Sequence, residues 1–467
     1  MGAGRWIGDL GEGLGSQLGL ADPVVRLGVT GLSRAGKTVF ITSLVANLMD
    51  RGRMPQLLAA ADGTIEAAWL QPQPDDTVAR FAYEEHLARL TGPEPAWPEG
   101  TSRISQLRLS FRLAPRGISG LWRGARRLHL DIVDYPGEWL LDLALMERGF
   151  ADWSAGMLAL LPGRPGAGDY LAALAATDPA APFDPVVAER LARAWAAHLR
   201  AARAAGFSDC SPGRFLMPGD LEGSPALTFA PLPDVPGAGR RSLWRECARR
   251  YDAYRARIVT PFFRDHFARI DRQVVLVDVL GALAAGPAAF EDLRRTMAGL
   301  MAAFRPGRSA WLARMVGMRR IGRVLLAATK ADHLHHSQHP RLVALTEALL
   351  REARDRADFA GARTAAMAIA ALRTTVEDEL RRDGELLPVV RGRLEGSGRQ
   401  VAFHPGDLPE DPRRLLVPAR EGAADWPGRA HAMAGFAPAP LTLRPGEGLP
   451  HIRLDRAAEF LIGDLLR

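Results

Sequence analysis

Short apolar runs alternate along this chain with longer stretches of helical periodicity, a pattern that predicts a parallel sheet with crossover helices. Residues 24–30 form the first run and end in a glycine-bearing turn; residues 39–49 then carry apolar side chains at helical spacing. The unit reads strand, loop, helix. Residues 50–100 read as mixed helix and loop, ending in the proline-rich TGPEPAWPEG. In 105–113 the apolar positions Leu107, Leu109, Phe111 and Leu113 alternate, as in a half-buried strand. Residues 128–133 are the next strand, closed by a turn at 134–137.

From 150 to 267 the pattern changes to alanine- and arginine-rich helical stretches around a Gly/Pro-rich segment at 211–239, which reads as a helical insertion. Strand logic resumes at 273–280, 324–328 and 364–370, with helical patterns at 288–304 and 342–356 between them. Residues 387–394 and 400–404 flank Gly396-Ser397-Gly398 and predict a hairpin; 451–466 predict a closing helix. No internal repeat is visible. The expected organisation is an N-terminal arm (1–22), a first core segment (23–149), the insertion (150–267) and a second core segment (268–467). The expected fold class is α/β: a P-loop three-layer core with a mostly parallel sheet, helical insertions and a small C-terminal β-hairpin.

At 467 residues, 47% hydrophobic and 24% charged, the chain has a normal globular balance and is too long for one ordinary core. Cys210 and Cys247 offer neither a disulfide framework nor metal-ligand spacing, so a reducing compartment is expected. No apolar run reaches the roughly 18 residues of a spanning helix, and the N-terminus lacks a secretory pattern. The expectation is a cytoplasmic chain, with peripheral attachment at the inner membrane as the alternative. Residues 6–20 are weakly amphipathic and could touch a membrane surface, although a loosely ordered arm is the plainer reading. The net charge of +7 raises nucleic acid as a ligand. The arginines are scattered over helical faces without an aromatic-basic stacking pattern, so specific nucleic-acid binding is not expected. One compositional fact is sharper: lysine occurs only at Lys37 and Lys330, and arginine fills every other strongly basic position. A compact ammonium is kept where a planar guanidinium does not fit.

Both lysines fall in motifs. Gly31-Leu32-Ser33-Arg34-Ala35-Gly36-Lys37-Thr38 matches G-x-x-x-x-G-K-[ST] between strand and helix. Here backbone N–H groups of Gly31, Ser33, Arg34, Ala35, Gly36 and Val39 would cradle phosphates, Lys37 would reach the β- and γ-phosphate oxygens, and the Thr38 hydroxyl would ligate magnesium. Asp134-Tyr135-Pro136-Gly137 closes the next core strand as D-x-x-G, giving Asp134 as a metal-associated carboxylate and the Gly137 N–H as a γ-phosphate sensor. Thr329-Lys330-Ala331-Asp332 fits [NT]-K-x-D, in which Asp332 accepts from guanine N1 and N2 while the Lys330 stem covers the ring. Ala371 and Leu372 occupy the place of a further base contact. Thr101 is the candidate switch threonine, with catalytic and metal-binding roles; Ser102 and Ser105 are rivals. Glu138 stands where many GTPases carry a water-orienting glutamine, which predicts slow hydrolysis. Arg34 and Arg103 are candidate arginine fingers. His333, His335, His336 and His339 read as a polar loop near the base rather than a metal centre.

The strings RLGVTGLSRAGKTVFITSLVANL, WPEGTSRISQLRLSFR, DIVDYPGEWLLDL, VLVDVLGALAAGPAAFEDL and PHIRLDRAAEFLIGDLL resemble the YcjX family of bacterial stress-associated proteins, from about residue 26 to 466. The resemblance implies a Ras-like GTP-binding domain interrupted by helical insertions, with GTP or GDP and Mg2+ as ligands. By position it puts phosphate contacts on Arg34 to Thr38, magnesium on Thr38 and Thr101, and base contacts on Lys330 and Asp332. Glu138 departs from the usual glutamine. A protein partner for the switch is expected and is not identified by the residues. The competing expectations are an ATPase in which TKAD is incidental, and a nucleotide-stabilised scaffold that does not turn over.

Overall fold

The computed structural model describes residues 22–32, 34–73, 75–100, 103–115, 125–302, 321–359, 361–382, 384–423 and 425–467. The expected N-terminal arm lies outside these, apart from Asp22. Eight strands form the main sheet: β1 (Val24–Gly31), β2 (Ile65–Gln71), β3 (Ala79–Arg80), β4 (Ser105–Leu113), β5 (Arg126–Asp134), β6 (Arg272–Val277), β7 (Arg323–Ala328) and β8 (Arg363–Ala368). Their order is β2-β4-β5-β1-β6-β7-β8, with β3 pairing alongside β4. The run from β5 to β8 is parallel, whereas β4 is antiparallel to both β2 and β5. The fold is α/β with a mostly parallel central sheet.

Helices of nine or more residues are α1 (Lys37–Met49), α2 (Tyr83–Thr91), α3 (Phe150–Leu160), α4 (Ala167–Ala175), α5 (Pro185–Ala204) and α6 (Leu243–Tyr254). They continue with α7 (Pro287–Ala302), α8 (His339–Leu349), α9 (Arg351–Phe359), α10 (Arg413–Glu421) and α11 (Leu454–Ile462). The strand period of two divides the sheet between two cores. Val274, Leu276, Leu325 and Ala327 pack with Phe40, Ile41 and Leu44 of α1 and with Leu454, Ala457 and Leu461 of α11. Val275, Val277, Val324, Leu326 and Ala328 point the other way, into a core shared with α7, α8 and α9. Central strands buried on both faces read as continuous apolar runs, which is why periodicity found them.

The helical stretch between β5 and β6 is continuous with that second core. Trp153 stacks on Tyr251 at 5.0 Å between ring centroids and meets Phe229 and Trp195 edge-on. The Asp184 carboxylate caps α5 by accepting the Val186 N–H at 2.8 Å. Arg164 forms a buried ion pair with Asp292 of α7, which also accepts the N–H groups of Ser208 (2.7 Å) and Asp209 (2.9 Å). These helices are therefore fixed to the sheet layer by apolar burial and by a satisfied buried charge.

Several expectations are corrected. Within 50–100, IEAAWLQ is the edge strand β2, although alanine, glutamate, leucine and glutamine favour helix; pairing with β4 overrides propensity. The strand expected at 273–280 stops at Val277, because the Asp278 carboxylate accepts the Gly281 N–H (2.9 Å) and starts a helix at Val279–Ala285. The helix expected over 342–356 divides at Leu350 into α8 and α9. The C-terminal hairpin is present as β10 (Glu385–Arg393) and β11 (Gln400–Phe403), but a third strand, β9 (Val376–Arg382), pairs with β10. The charged sequence VEDELRR gave no strand signal because most of it faces solvent.

Asp142 joins the sheet to the helical segment. Its carboxylate accepts the Gly213 N–H at 2.7 Å and the Tyr254 hydroxyl. Burial pushes this carboxyl up from 3.8 to about 7, against those two hydrogen bonds, which favour the charged form. Between about pH 4 and pH 7 the unfolded chain has lost this proton while the folded chain keeps it, so this group's contribution to stability falls as pH rises through that window. Asp142→Asn cannot ionise and should gain on the wild type across the window by up to about 4 kcal/mol. Urea midpoints of both proteins at about pH 5 and about pH 8 check this; a difference independent of pH rules the ionisation out.

Candidate nucleotide site

β1 delivers Gly31 to the edge of a cavity of about 800 Å³. The loop beyond it turns through left-handed backbone at Arg34 (φ 63°) and Gly36 (φ 81°), with the Ala35 N–H donating to the Leu32 carbonyl at 3.1 Å. Left-handed backbone suits glycine and is uncommon for arginine. No side chain caps α1 at Gly36, and residues 36–39 open their first-turn N–H groups on the cavity. Lys37 Nζ donates to the Gly31 carbonyl at 3.1 Å, which folds the ammonium back over the loop.

The D-x-x-G turn reaches the same loop because β5 lies beside β1 in parallel register, with Asp134 opposite Val29. Asp134 is buried at the end of β5. Gly137 is pressed so closely on the P-loop that a Cβ there would stand 1.9 Å from the Gly31 carbonyl oxygen. Glu138 follows, buried, with its carboxylate paired to Arg203 of α5 at 2.9 Å. Gly213 abuts the Glu138 carbonyl, where its own Cβ would also stand at 1.9 Å. Trp139 donates its indole N–H to the Met217 carbonyl at 3.0 Å and lies under the Arg214 guanidinium, 3.2 Å from the ring centroid.

At the other end of the cavity, β7 presents Thr329 to Asp332. Lys330 adopts φ 61° and pairs with Asp278 at the end of β6. Asp332 is buried; one carboxylate oxygen accepts the Thr374 N–H (2.9 Å) and hydroxyl (2.7 Å), while its backbone carbonyl accepts the Thr375 hydroxyl. His333 lies edge-on to Phe436 at 5.0 Å, and burial lowers its pKa. Trp97 donates its indole N–H to the Phe436 carbonyl at 2.8 Å, which joins the loop before β4 to the C-terminal segment at the cavity rim.

The fold brings Arg34, Ala35, Gly36, Lys37, Thr38, Val39, Glu138, Lys330, Asp332, Ala371 and Leu372 to the wall of this one cavity. Gly31, Asp134 and Gly137 are not among the lining residues; Gly137 abuts Gly31 and the N–H of Leu32, which does line the cavity. Ser33, Thr101 and Ser102 fall outside the described residues. Ser105 starts β4, buried opposite Asp134, and Arg103 is exposed away from the cavity lining. Sequence reasoning missed Arg203, Thr374, Asp278 and Phe436. Asp278 alone had a local signal, an aspartate closing an apolar strand before a glycine; the others arrive from distant segments. Among the four histidines, His339 bonds the Ala331 carbonyl at 2.8 Å. His335 and His336 converge on Glu377 of β9, a carboxylate that the local sequence does not show, and the three could hold a metal ion.

A profile of the YcjX-like family, DUF463, matches residues 25–466. The chain is 37% identical over 461 residues to the protein named Ras-like GTPase YcjX of Escherichia coli (strain K12), covering 96% of this chain and 97% of the relative. It is 34% identical over 472 residues to the protein of that name from Shewanella oneidensis, covering 96% and 95% respectively.

Two glycines of the site should respond unequally to alanine. Gly36→Ala meets open space and bears only the left-handed backbone cost, about 1–2 kcal/mol. Gly137→Ala must push the P-loop away and should cost more than that. Denaturant unfolding of both variants tests the order, and a Gly137→Ala protein as stable as wild type would refute the close approach.

Proposed function

The chain belongs to the YcjX-like family, and on that premise we propose that it is a GTPase: a guanine-nucleotide switch that slowly hydrolyses the β–γ phosphoanhydride. One observation carries the reading. The two lysines of the chain, nearly 300 positions apart, line opposite ends of one cavity, one in a phosphate-type cradle and the other beside a fixed carboxylate. The cavity volume suits a nucleoside triphosphate.

At the phosphate end, first-turn N–H groups of α1 and the Lys37 ammonium would receive the β- and γ-phosphates. Thr38 and Asp134 supply hard oxygen donors of the kind magnesium takes, directly or through water, so these residues fit that ion. When bound, Mg2+ would neutralise phosphate charge and orient the β- and γ-oxygens. At the base end, Thr374 holds one oxygen of Asp332, and this carboxylate would accept from guanine N1 and N2. Adenine has no such donor pair. The Gly137 N–H would sense the γ-phosphate, and Glu138, in place of glutamine, supports slow turnover. The stress-associated role implied by the family resemblance would be exerted through a protein partner responding to the switch. No helix among the described residues is long and apolar enough to cross a membrane.

Titration calorimetry with GDP, GTP, ATP and xanthosine triphosphate tests the base assignment. Wild type should prefer GTP, and Asp332→Asn should prefer xanthosine triphosphate, because its amide can donate to the xanthine carbonyl; equal binding of ATP and GTP by wild type removes the guanine assignment. Lys37→Ala should weaken GTP binding by roughly ten- to a hundredfold, since a charge-assisted contact contributes on the order of 1.5–3 kcal/mol. Lys37→Arg should fail almost as badly despite its charge, because the guanidinium is too bulky for the loop. Normal GTP binding by Lys37→Arg would contradict the phosphate assignment.

A further inference from the structure

A glutamate beside a γ-phosphate poses an electrostatic problem, and the structure holds its answer in the helical insertion. Among the described residues lining the cavity, the strongly basic side chains are Arg34, Lys37, Arg203 and Lys330. Lys37 turns to the P-loop, and Lys330 is paired with Asp278 at the base end. Arg34 belongs to the P-loop itself and is exposed. Arg203 is the one that meets the D-x-x-G end: its guanidinium lies 2.9 Å from the Glu138 carboxylate, one residue beyond the glycine pressed on Gly31.

We infer that Arg203 is a catalytic arginine finger carried in cis by the helical insertion, held by Glu138 at rest and directed to the γ-phosphoryl oxygens when GTP is bound. The inference rests on the guanine-nucleotide reading of the cavity. In the hydrolytic step a water oxygen bonds to the γ-phosphorus and the bond from phosphorus to the bridging oxygen breaks. The bond's electron pair stays on GDP and a water proton passes to the departing phosphate. Charge grows on the bridging and γ-oxygens, and a fixed guanidinium there lowers the barrier without reorganising solvent. Its second nitrogen can keep Glu138, so one fork offsets two anions that would otherwise repel.

The supporting frame is rigid. α5 ends at Ala204 and the chain turns at Gly206, where φ is 91°, with the Phe207 N–H bonding back to the Ala202 carbonyl at 3.0 Å. The following turn is pinned by Asp292, which accepts from Ser208 and Asp209 and pairs with Arg164. Gly213, Trp139 and Asp142 lock the chain after Glu138 onto the same insertion. Neither arginine singled out from the sequence has this combination of cavity exposure and a partner at the D-x-x-G turn.

The full chain and its Arg203→Ala and Arg203→Lys variants should be compared in three measurements: GDP affinity, single-turnover phosphate release from GTP, and binding of aluminium fluoride to the GDP–Mg2+ complex. GDP affinity should change by less than about threefold, because Arg203 acts only on the reacting phosphoryl group. Phosphate release should fall about a hundredfold or more in Arg203→Ala, and aluminium fluoride binding should be lost with it. Arg203→Lys should not restore either, whereas a merely structural partner for Glu138 would be restored by lysine. Wild-type rates in Arg203→Ala, rescue by Arg203→Lys, or parallel loss of GDP binding and hydrolysis would each overturn the assignment. A wild-type protein that binds no guanine nucleotide removes the underlying reading and this assignment together, a result distinct from all of these.

Discussion

The contact between Gly137 and the Gly31 carbonyl sets the terms for everything around it. Two backbones meet there with no room for a Cβ on Gly137, so that position needs glycine and the strands that deliver the two residues must lie side by side. Parallel pairing of β1 with β5 meets that demand, and the register that puts Asp134 opposite Val29 carries the turn onto the P-loop. Such a contact transmits displacement efficiently, because close-packed backbone cannot yield without moving its neighbour. A γ-phosphate that draws the Gly137 N–H towards it would thereby move Glu138 and all that rests on it.

What rests on it is the helical insertion. The five residues after Gly137 are buried, and their polar side chains are satisfied by Gly213, Met217, Arg203 and Tyr254, all from the stretch between β5 and β6. Since that stretch shares one hydrophobic core with the sheet face under α7 and α8, it is no loosely tethered appendage. A shift at the turn would press on a body whose interior is aromatic, centred on Trp153 and Tyr251.

The base end follows a different logic, one of preorganisation. Asp332 is fixed by Thr374, and Lys330 is held by Asp278. The His333 and Phe436 rings meet edge-on at the rim, and Trp97 ties that rim to the chain entering β4. Buried carboxylates with assigned partners keep their orientation at little entropic cost, which is what selectivity between two similar bases requires.

Much of this was legible without coordinates. The central strands declared themselves because burial on both faces forces an apolar run, and the P-loop, D-x-x-G and TKAD motifs did so because their geometry admits few residue types. The rarity of lysine pointed to two distant positions that the fold brings to one cavity. By contrast, β2 and β9 were hidden, since edge strands with exposed or helix-favouring residues are stabilised by their neighbours rather than by their own composition. The partners of the site were hidden for a related reason. Arg203 sits among many arginines on an alanine-rich helix, and Thr374 in a run of unremarked polar residues. Local sequence fixes backbone conformation and pattern; only chain reversal over 42 residues from Asp332 to Thr374, and over the first half of the insertion from Glu138 to Arg203, decides which polar groups meet.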